Sequence, residues 1–307
     1  MNCNCQNKEP LLQTNLPLPA FIKGKVRDTY DLGDYLLIVV TDRISAFDVV
    51  LPCGIEDKGE VLNRISAFWF DKTKDIVQNH MVELLEKPED LAKYLPQNKK
   101  ITEYPCWLAG RSMIVKKVQR ITVECIARGY ISGSAWKEYK KDGTACGIKL
   151  PDGLIESQQL PQVLFTPTTK GDNGEHDVNM SYEDVVKTVG DQRAQELKDT
   201  TVKLYQAASN YARTKGFIIA DTKFEFGIDK DSRLVLIDEA LTPDSSRFWD
   251  MSNYQAGRSQ DSYDKQPVRD YLETLHWDKS YPGPCLPQEV QEKATQRYRT
   301  AYERLTK

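Results

Sequence analysis

Histidine is scarce in this sequence, three in 307 residues, and none of the seven cysteines forms a CxxC pair. A zinc site therefore lacks both the ligands and the spacing it needs. An odd number of scattered cysteines in a long chain also argues against a disulfide framework, and we read them as reduced thiols. Long apolar runs are missing too: Tyr35 to Val40 is among the longest, against the roughly 18 to 20 residues that a bilayer demands. The opening Met1-Asn2-Cys3-Asn4-Cys5 has no apolar targeting core. These absences lead us to expect a cytoplasmic protein with no membrane partner. Neither sign of charge dominates, with a formal net charge of −3, so the chain carries no electrostatic footprint for nucleic acid. Internal repeats, low-complexity linkers and the GxxxxGK[ST] phosphate loop are also absent.

What is there reads as an ordinary globular chain. Hydrophobic residues at 40% and interspersed charges at 28% exclude disorder, and the length allows two lobes with a cleft between them. Strand-like runs near 35–41, 112–118, 217–228 and 233–237 mix with helical spacing over 61–77 and from Gln192 to Tyr211. Ser181 with Asp184 opens a further helix in capping-box style, Gly190-Asp191 interrupts it, and Gly216 stops the next before a strand at Phe217. Val290, Ala294, Tyr298, Ala301 and Leu305 form a packing stripe after Pro287. Segments 96–111 and 142–180 read as loops. The class is α+β, divided at 1–118 and 119–307, and monomer and homo-oligomer both fit.

The densest chemical signal runs from Phe217 to Gly227 and turns through Asp229-Lys230-Asp231-Ser232 into a strand ending at Asp238-Glu239. Strand alternation puts Asp221, Lys223 and Glu225 on one face. A turn centred on Lys230-Asp231 sets Leu236 opposite Glu225 and Asp238 opposite Lys223. Glu225 and Asp238 are then diagonal neighbours roughly 7–8 Å apart, spaced to share magnesium, which prefers hard oxygen ligands. A one-residue slip would turn Glu239 to that face instead. An isolated hairpin with these residues would read as a surface element with hydrated charges, but the apolar residues around them favour burial and hence function.

Four further stretches could carry chemistry. Lys23-Gly24-Lys25-Val26-Arg27-Asp28 pairs a glycine with basic side chains that share a face if the segment is extended, as a phosphate cradle or a plain basic turn. The polar loop 166–177 holds Lys170, His176 and Asp177, with His and Asp available for general base work. Val123 to Ser134 contains Arg128, Ser132 and Ser134, and Thr242 to Arg247 sets Ser245 and Ser246 beside Arg247. Arginine forks with hydroxyls and glycine amides make anion pockets.

GKVRD at 24–28, TDRISAFD at 41–48, ARGYISGSAW at 127–136, GEHD at 174–177, ADTKFEFG at 220–227, DEALTPDSSRFW at 238–249 and YDKQPVRDYL at 263–272 occur in this order. With them the chain from about Lys23 to Leu305 resembles the longer, monofunctional form of the phosphoribosylaminoimidazole-succinocarboxamide synthase family. The resemblance implies an antiparallel-sheet lobe covering ATP and a larger α+β lobe for the nucleotide substrate, arranged like kinases and ATP-grasp ligases. It places ATP phosphates at Gly24, Lys25, Val26, Arg27 and Lys170, and adenine against Lys116 to Val118. Magnesium falls to Glu225 and Asp238. Substrate phosphate and carboxylate fall to Arg128, Ser134, Arg247, Lys265 and Arg269, with Asp177, Asp221 and Lys223 near the reacting groups and Ser45 beside the imidazole and aspartate.

The implied reaction moves a phosphoryl group from ATP to an imidazole ribonucleotide carboxylate, and the amine of L-aspartate then attacks the acyl phosphate. Pro267 inside the Lys265–Arg269 segment and the first 20 residues depart from the family pattern. Two rival readings are a small-molecule kinase of inositol-phosphate-kinase type, without aspartate dependence, and a nucleotide sensor with dead chemistry. The sensor predicts loss of charged site residues, whereas Lys25, Lys170, Glu225 and Asp238 are all present.

Overall fold

The computed structural model describes residues 9–97, 101–170, 178–263 and 265–307. The chain opens with strands β1 (Ala20–Lys23), β2 (Arg27–Asp31), β3 (Tyr35–Val40), β4 (Arg43–Ala46) and β5 (Val49–Gly54). Helix α1 (Lys58–Lys72) leads to β6 (Gln78–Asn79), β7 (Met81–Leu84) and β8 (Ser112–Lys116). Next come β9 (Gln119–Tyr130), α2 (Gly133–Asp142), β10 (Thr144–Ala145), β11 (Ile148–Lys149), β12 (Gln159–Phe165) and β13 (Thr168–Thr169). Helices α3 (Tyr182–Val189) and α4 (Asp191–Thr214) precede β14 (Phe217–Ile228), β15 (Leu234–Ile237) and β16 (Ser246–Asp250). The last elements are α5 (Gln266–Glu273) and α6 (Gln288–Thr306). Two units result: one takes the chain to Phe70, His80–Lys117 and the C-terminal stretch to Lys307, the other residues 71–79 and Val118–Tyr263.

The first unit is built on an antiparallel sheet in the order β1-β2-β3-β8-β7. Alternation in β3 buries Leu37 and Val39 completely and leaves Leu36 and Ile38 half-buried, so one face joins a core with Leu16, Leu85 and Leu108. Helices α5 and α6 also belong to this unit, whereas the sequence groups them with residues 119–307. The cause is the apolar stripe of α6: Ala294, Tyr298, Ala301 and Leu305 are buried, and the Lys58 ammonium sits 5.8 Å from the Tyr298 ring centroid. Arg299 adds hydrogen bonds to Glu56 at 3.1 Å and Asp57 at 3.2 Å.

The turn between β1 and β2 is held by a residue far along the chain. Arg43, at the start of β4, donates to the carbonyls of Gly24 and Lys25, each at 3.0 Å, and to that of Leu12 at 2.9 Å. Its guanidinium also meets Asp28 Oδ1 at 2.7 Å, and Thr14 Oγ1 donates to Asp28 Oδ2 at 2.6 Å. Gly24 to Val26 thus form a turn rather than an extended segment, so the expected common facing of Lys25 and Arg27 does not follow; Lys25 turns to Asp48 at 2.6 Å.

The second unit centres on β14, flanked by β9 and β15 in a sheet ordered β12-β9-β14-β15-β6, with β13 on β9 and β16 on β14. The expected loop 142–180 contains β12 and β13; Pro161 hides the strand pattern of β12, and proline is tolerated because β12 lies at the sheet edge. Helix α4 packs on β14 and β9. Gly129 permits that approach, since a Cβ there would lie 2.0 Å from the Tyr205 hydroxyl oxygen. Ser181 and Asp184 form the expected capping box, and Gly190 closes α3. Among the described residues no helix is long and apolar enough to cross a membrane. Cys53, Cys125, Cys146 and Cys285 are free thiols, while Cys106 is disulfide-bonded, against the expectation of reduced thiols throughout.

Burial alone would raise the Asp28 pKa, but the hydrogen bonds from Arg43 and Thr14 outweigh it and hold the carboxyl below its usual range. A lowered folded pKa stabilises above the unfolded value, about 3.9, and that contribution disappears as pH falls through the folded one. Asp28→Asn should therefore cost on the order of 3 kcal/mol at neutral pH, since it leaves Arg43 without its buried charge partner. Thermal melts from pH 7 to pH 3 should show the gap to the unsubstituted protein narrowing only below about pH 4.

Candidate active site

The charged face of β14 is built by register with β9. Asp221 pairs with Arg128, Lys223 with Ile126 and Glu225 with Glu124, so the alternate residues Asp221, Lys223 and Glu225 stand beside Glu124 and Arg128. Cys125, Phe224 and Phe226, one position out of phase, are completely buried. Glu124 and Glu225, 3% and 5% exposed, face each other directly across the strands. Like charges so placed repel, and two lysines compensate. Lys223 Nζ donates to Glu124 Oε1 at 2.8 Å, and Lys170 Nζ, just beyond β13, donates to both Glu225 carboxylate oxygens. Thr168 Oγ1 donates to Glu124 Oε2 at 3.4 Å.

Burial by itself would lower the Lys223 pKa. The charge and hydrogen bond of Glu124, with the charges of Glu225 and Asp238, override it and raise the pKa. Lys223 is therefore a fixed cation at neutral pH, unsuited to act as a base.

The hairpin register differs by one from the expectation. Glu225 pairs with Ile237 and Phe226 with Leu236, not Glu225 with Leu236. Continued alternation would then turn Glu239 to the charged face. Asp238 instead adopts a left-handed backbone (φ 67°) just past the end of β15, which breaks the alternation. Glu239 accepts from Thr242 Oγ1 at 2.7 Å and helps fix the turn before β16.

Toward the other end of β14, Asp221 gathers the anion-binding groups. Arg247 Nη1 meets Asp221 Oδ2 at 2.6 Å, Arg128 Nη1 at 3.3 Å and Ser132 Oγ at 3.4 Å. Arg128 further donates to Thr166 Oγ1 at 2.9 Å and Ser134 Oγ at 3.4 Å. One carboxylate thus orients two guanidiniums, which bind phosphate or carboxylate bidentately. Gly133 (φ +58°) lies under Arg247: a Cβ there would come 2.5 Å from Arg247 Nη2.

The second unit therefore brings together Lys170, Lys223, Glu124 and Glu225 toward one end of β14, with Asp238 just past β15, and Asp221, Arg128, Ser134 and Arg247 toward the other. In the first unit, Gly24, Lys25, Val26 and Arg27 lie at the β1–β2 turn, Ser45 on β4 and Lys116 at the end of β8. Lys265 caps α5 with Arg269 one turn on, and Pro267 sits in the first turn, where it is tolerated. Val118 precedes β9 and packs over Gly227. Asp177 and His176 lie outside the described residues. Sequence reasoning missed Glu124 and Arg43. Glu124 is four residues before Arg128, a separation that shares a strand face, but β9 was not read as a strand; Arg43 gives no local signal.

A model of the SAICAR synthetase family matches residues 20–284. The phosphoribosylaminoimidazole-succinocarboxamide synthase of Thermodesulfovibrio yellowstonii is 52% identical over 300 residues, covering 97% of this chain and 99% of that protein. The synthase of the same name from Desulfatibacillum aliphaticivorans is 54% identical over 287 residues, 93% of each. Among solved structures, the Saccharomyces cerevisiae SAICAR synthase complexed with SAICAR superposes with a TM-score of 0.86 at 44% identity, covering 96% of this chain and 98% of that one. A SAICAR synthetase in complex with ADP shares the fold, with a TM-score of 0.66 at 23% identity and 93% and 97% coverage.

Glu124→Gln removes the largest influence raising the Lys223 pKa, so burial should then lower it. Competitive labelling with an amine acylating reagent near pH 8 should show Lys223 acylated several-fold faster in the variant. An unchanged rate would mean that Glu124 does not set the charge of Lys223.

Proposed function

The chain belongs to the SAICAR synthetase family and catalyses that family's ATP-dependent ligation of aspartate in purine biosynthesis; we propose that the charged face of β14 carries the chemistry. The observation that supports this most is the paired arrangement on one strand. Two carboxylates, each hydrogen-bonded by a lysine, occupy one end, and a carboxylate orienting two arginines occupies the other.

The carboxylates Glu225 and Asp238 are hard oxygen donors suited to magnesium. Among the described residues no three metal-binding side chains are grouped to hold an ion by themselves. That fits magnesium, which commonly takes one or two carboxylates and completes its shell with substrate phosphates and water. When bound there, magnesium would neutralise phosphate charge. Lys170, which hydrogen-bonds Glu225, would pair with an ATP phosphate when the nucleotide is bound, and Glu225 would then be available as a metal ligand. Gly24, Lys25, Val26 and Arg27 bind ATP phosphates from a turn shaped by Arg43, and Lys116 and Val118 take the adenine.

Lys223 stays protonated and balances charge on the phosphoryl group as it passes to the imidazole carboxylate, an electrostatic role of the kind that dominates phosphoryl transfer. Arg128, Ser134 and Arg247 hold the ribonucleotide's anionic groups, with Lys265, Arg269 and Ser45 as further substrate contacts. Asp221 aligns the two arginines. The amine of L-aspartate then attacks the acyl phosphate, the C–N bond forms, and the C–O bond to phosphate breaks. Asp177 or a phosphate of the substrate takes the amine proton. A cytoplasmic location fits this use of ATP.

Glu225→Gln should lower kcat by about 100-fold or more and raise the magnesium concentration needed for half-maximal rate, with the melting temperature held. Near-normal turnover with unchanged magnesium dependence would remove Glu225 from the metal site. ADP release and succinocarboxamide absorbance, followed with and without L-aspartate, test the ligation itself: both should require the complete mixture.

A further inference from the structure

Two of the free thiols, Cys53 and Cys285, come from distant parts of the chain and meet in the first unit. Cys53 is half-buried on β5; Cys285 is exposed in the connection between α5 and α6. That connection is laid against β5. The Val50 N–H donates to the Tyr281 hydroxyl at 3.0 Å, and a Cβ on Gly283 would sit 2.9 Å from Leu51 Cδ2. The Leu286 N–H donates to Cys53 Sγ at 3.4 Å.

This last contact fixes the spacing of the two cysteines. In a trans peptide the preceding Cα lies on the same side as the N–H, which puts Cys285 Cα roughly 4 Å from the Cys53 sulfur. Adding the reach of the Cys53 side chain limits the Cα–Cα separation to roughly 7 Å, at the edge of the disulfide window of about 4.4–6.8 Å. The small approach still needed falls on an exposed connection.

We propose that Cys53 and Cys285 are a redox-active pair whose reversible disulfide clips the α5–α6 connection onto β5. The oxidant is a small disulfide of the glutathione class. The exposed Cys285 thiolate attacks it, forming a mixed disulfide and expelling one thiolate. The Cys53 thiolate then attacks the Cys285 sulfur, the protein disulfide forms, and the second thiolate leaves. The two protein thiols lose two protons and two electrons, and the small disulfide becomes two thiols. Burial pushes the Cys53 thiol pKa up, and the neighbouring Cys285 adds to it, so Cys53 suits the second step, where the target sulfur is already beside it.

The full-length protein, reduced and then exposed to glutathione disulfide, should yield a linked Cys53–Cys285 peptide on non-reducing mass mapping after alkylation. Its melting temperature should rise by several degrees and return on adding dithiothreitol. Cys53→Ser should stop at glutathione on Cys285, and Cys285→Ser should leave Cys53 alkylatable and the melting temperature unmoved. Stable glutathionylation of Cys285 in the unsubstituted protein, or alkylation of both thiols after exposure, would overturn the proposal.

Discussion

Two glutamates forced to face each other across neighbouring strands set the terms for the second unit. Glu124 and Glu225 are directly paired in the β9–β14 register and are almost wholly buried. Buried like charges at that separation are tolerated only with cations held against them. Lys223 supplies one from two residues along β14, and Lys170 supplies the other from beyond β13. The short β13 pairing on β9 thus places Lys170 as well as extending the sheet.

The same device recurs with opposite stoichiometry at Asp221, where one buried carboxylate holds two guanidiniums. Its consequence is a net positive pocket with fixed geometry, next to a cluster in which carboxylates outnumber lysines. Opposite local charge on one strand face suits a reaction that must hold anionic substrates and a cation together. In the first unit, Arg43 holds the carbonyls of the Gly24–Lys25 turn and the Asp28 carboxylate in one grip. There a side chain, rather than glycine alone, shapes the turn.

Much of the site was legible because alternation on a strand is local. Asp221, Lys223 and Glu225 share a face in any sheet, whatever packs around them. The expected pairing of Glu225 with Asp238 rests on a register one residue away from the observed one, in which alternation would favour Glu239, and the left-handed backbone at Asp238 ends that alternation. Glu124 escaped notice because β9 shows its strand character only through partners on both sides. Pro161 concealed β12 for the related reason that an edge strand can carry a residue an interior strand cannot.

The sequence by itself determined the class of fold, the helix caps at Ser181 and Gly190, the charged face of β14 and, through its ordered motifs, the family. Each rests on periods and spacings of a few residues along one chain. Tertiary structure alone decided that Arg43 braces a turn 18 and 19 residues earlier, that Lys223 donates to the buried Glu124, and that α6 packs with the amino-terminal sheet unit. Those outcomes depend on which groups are buried against which, and burial is a property of the whole packed chain rather than of any segment of it.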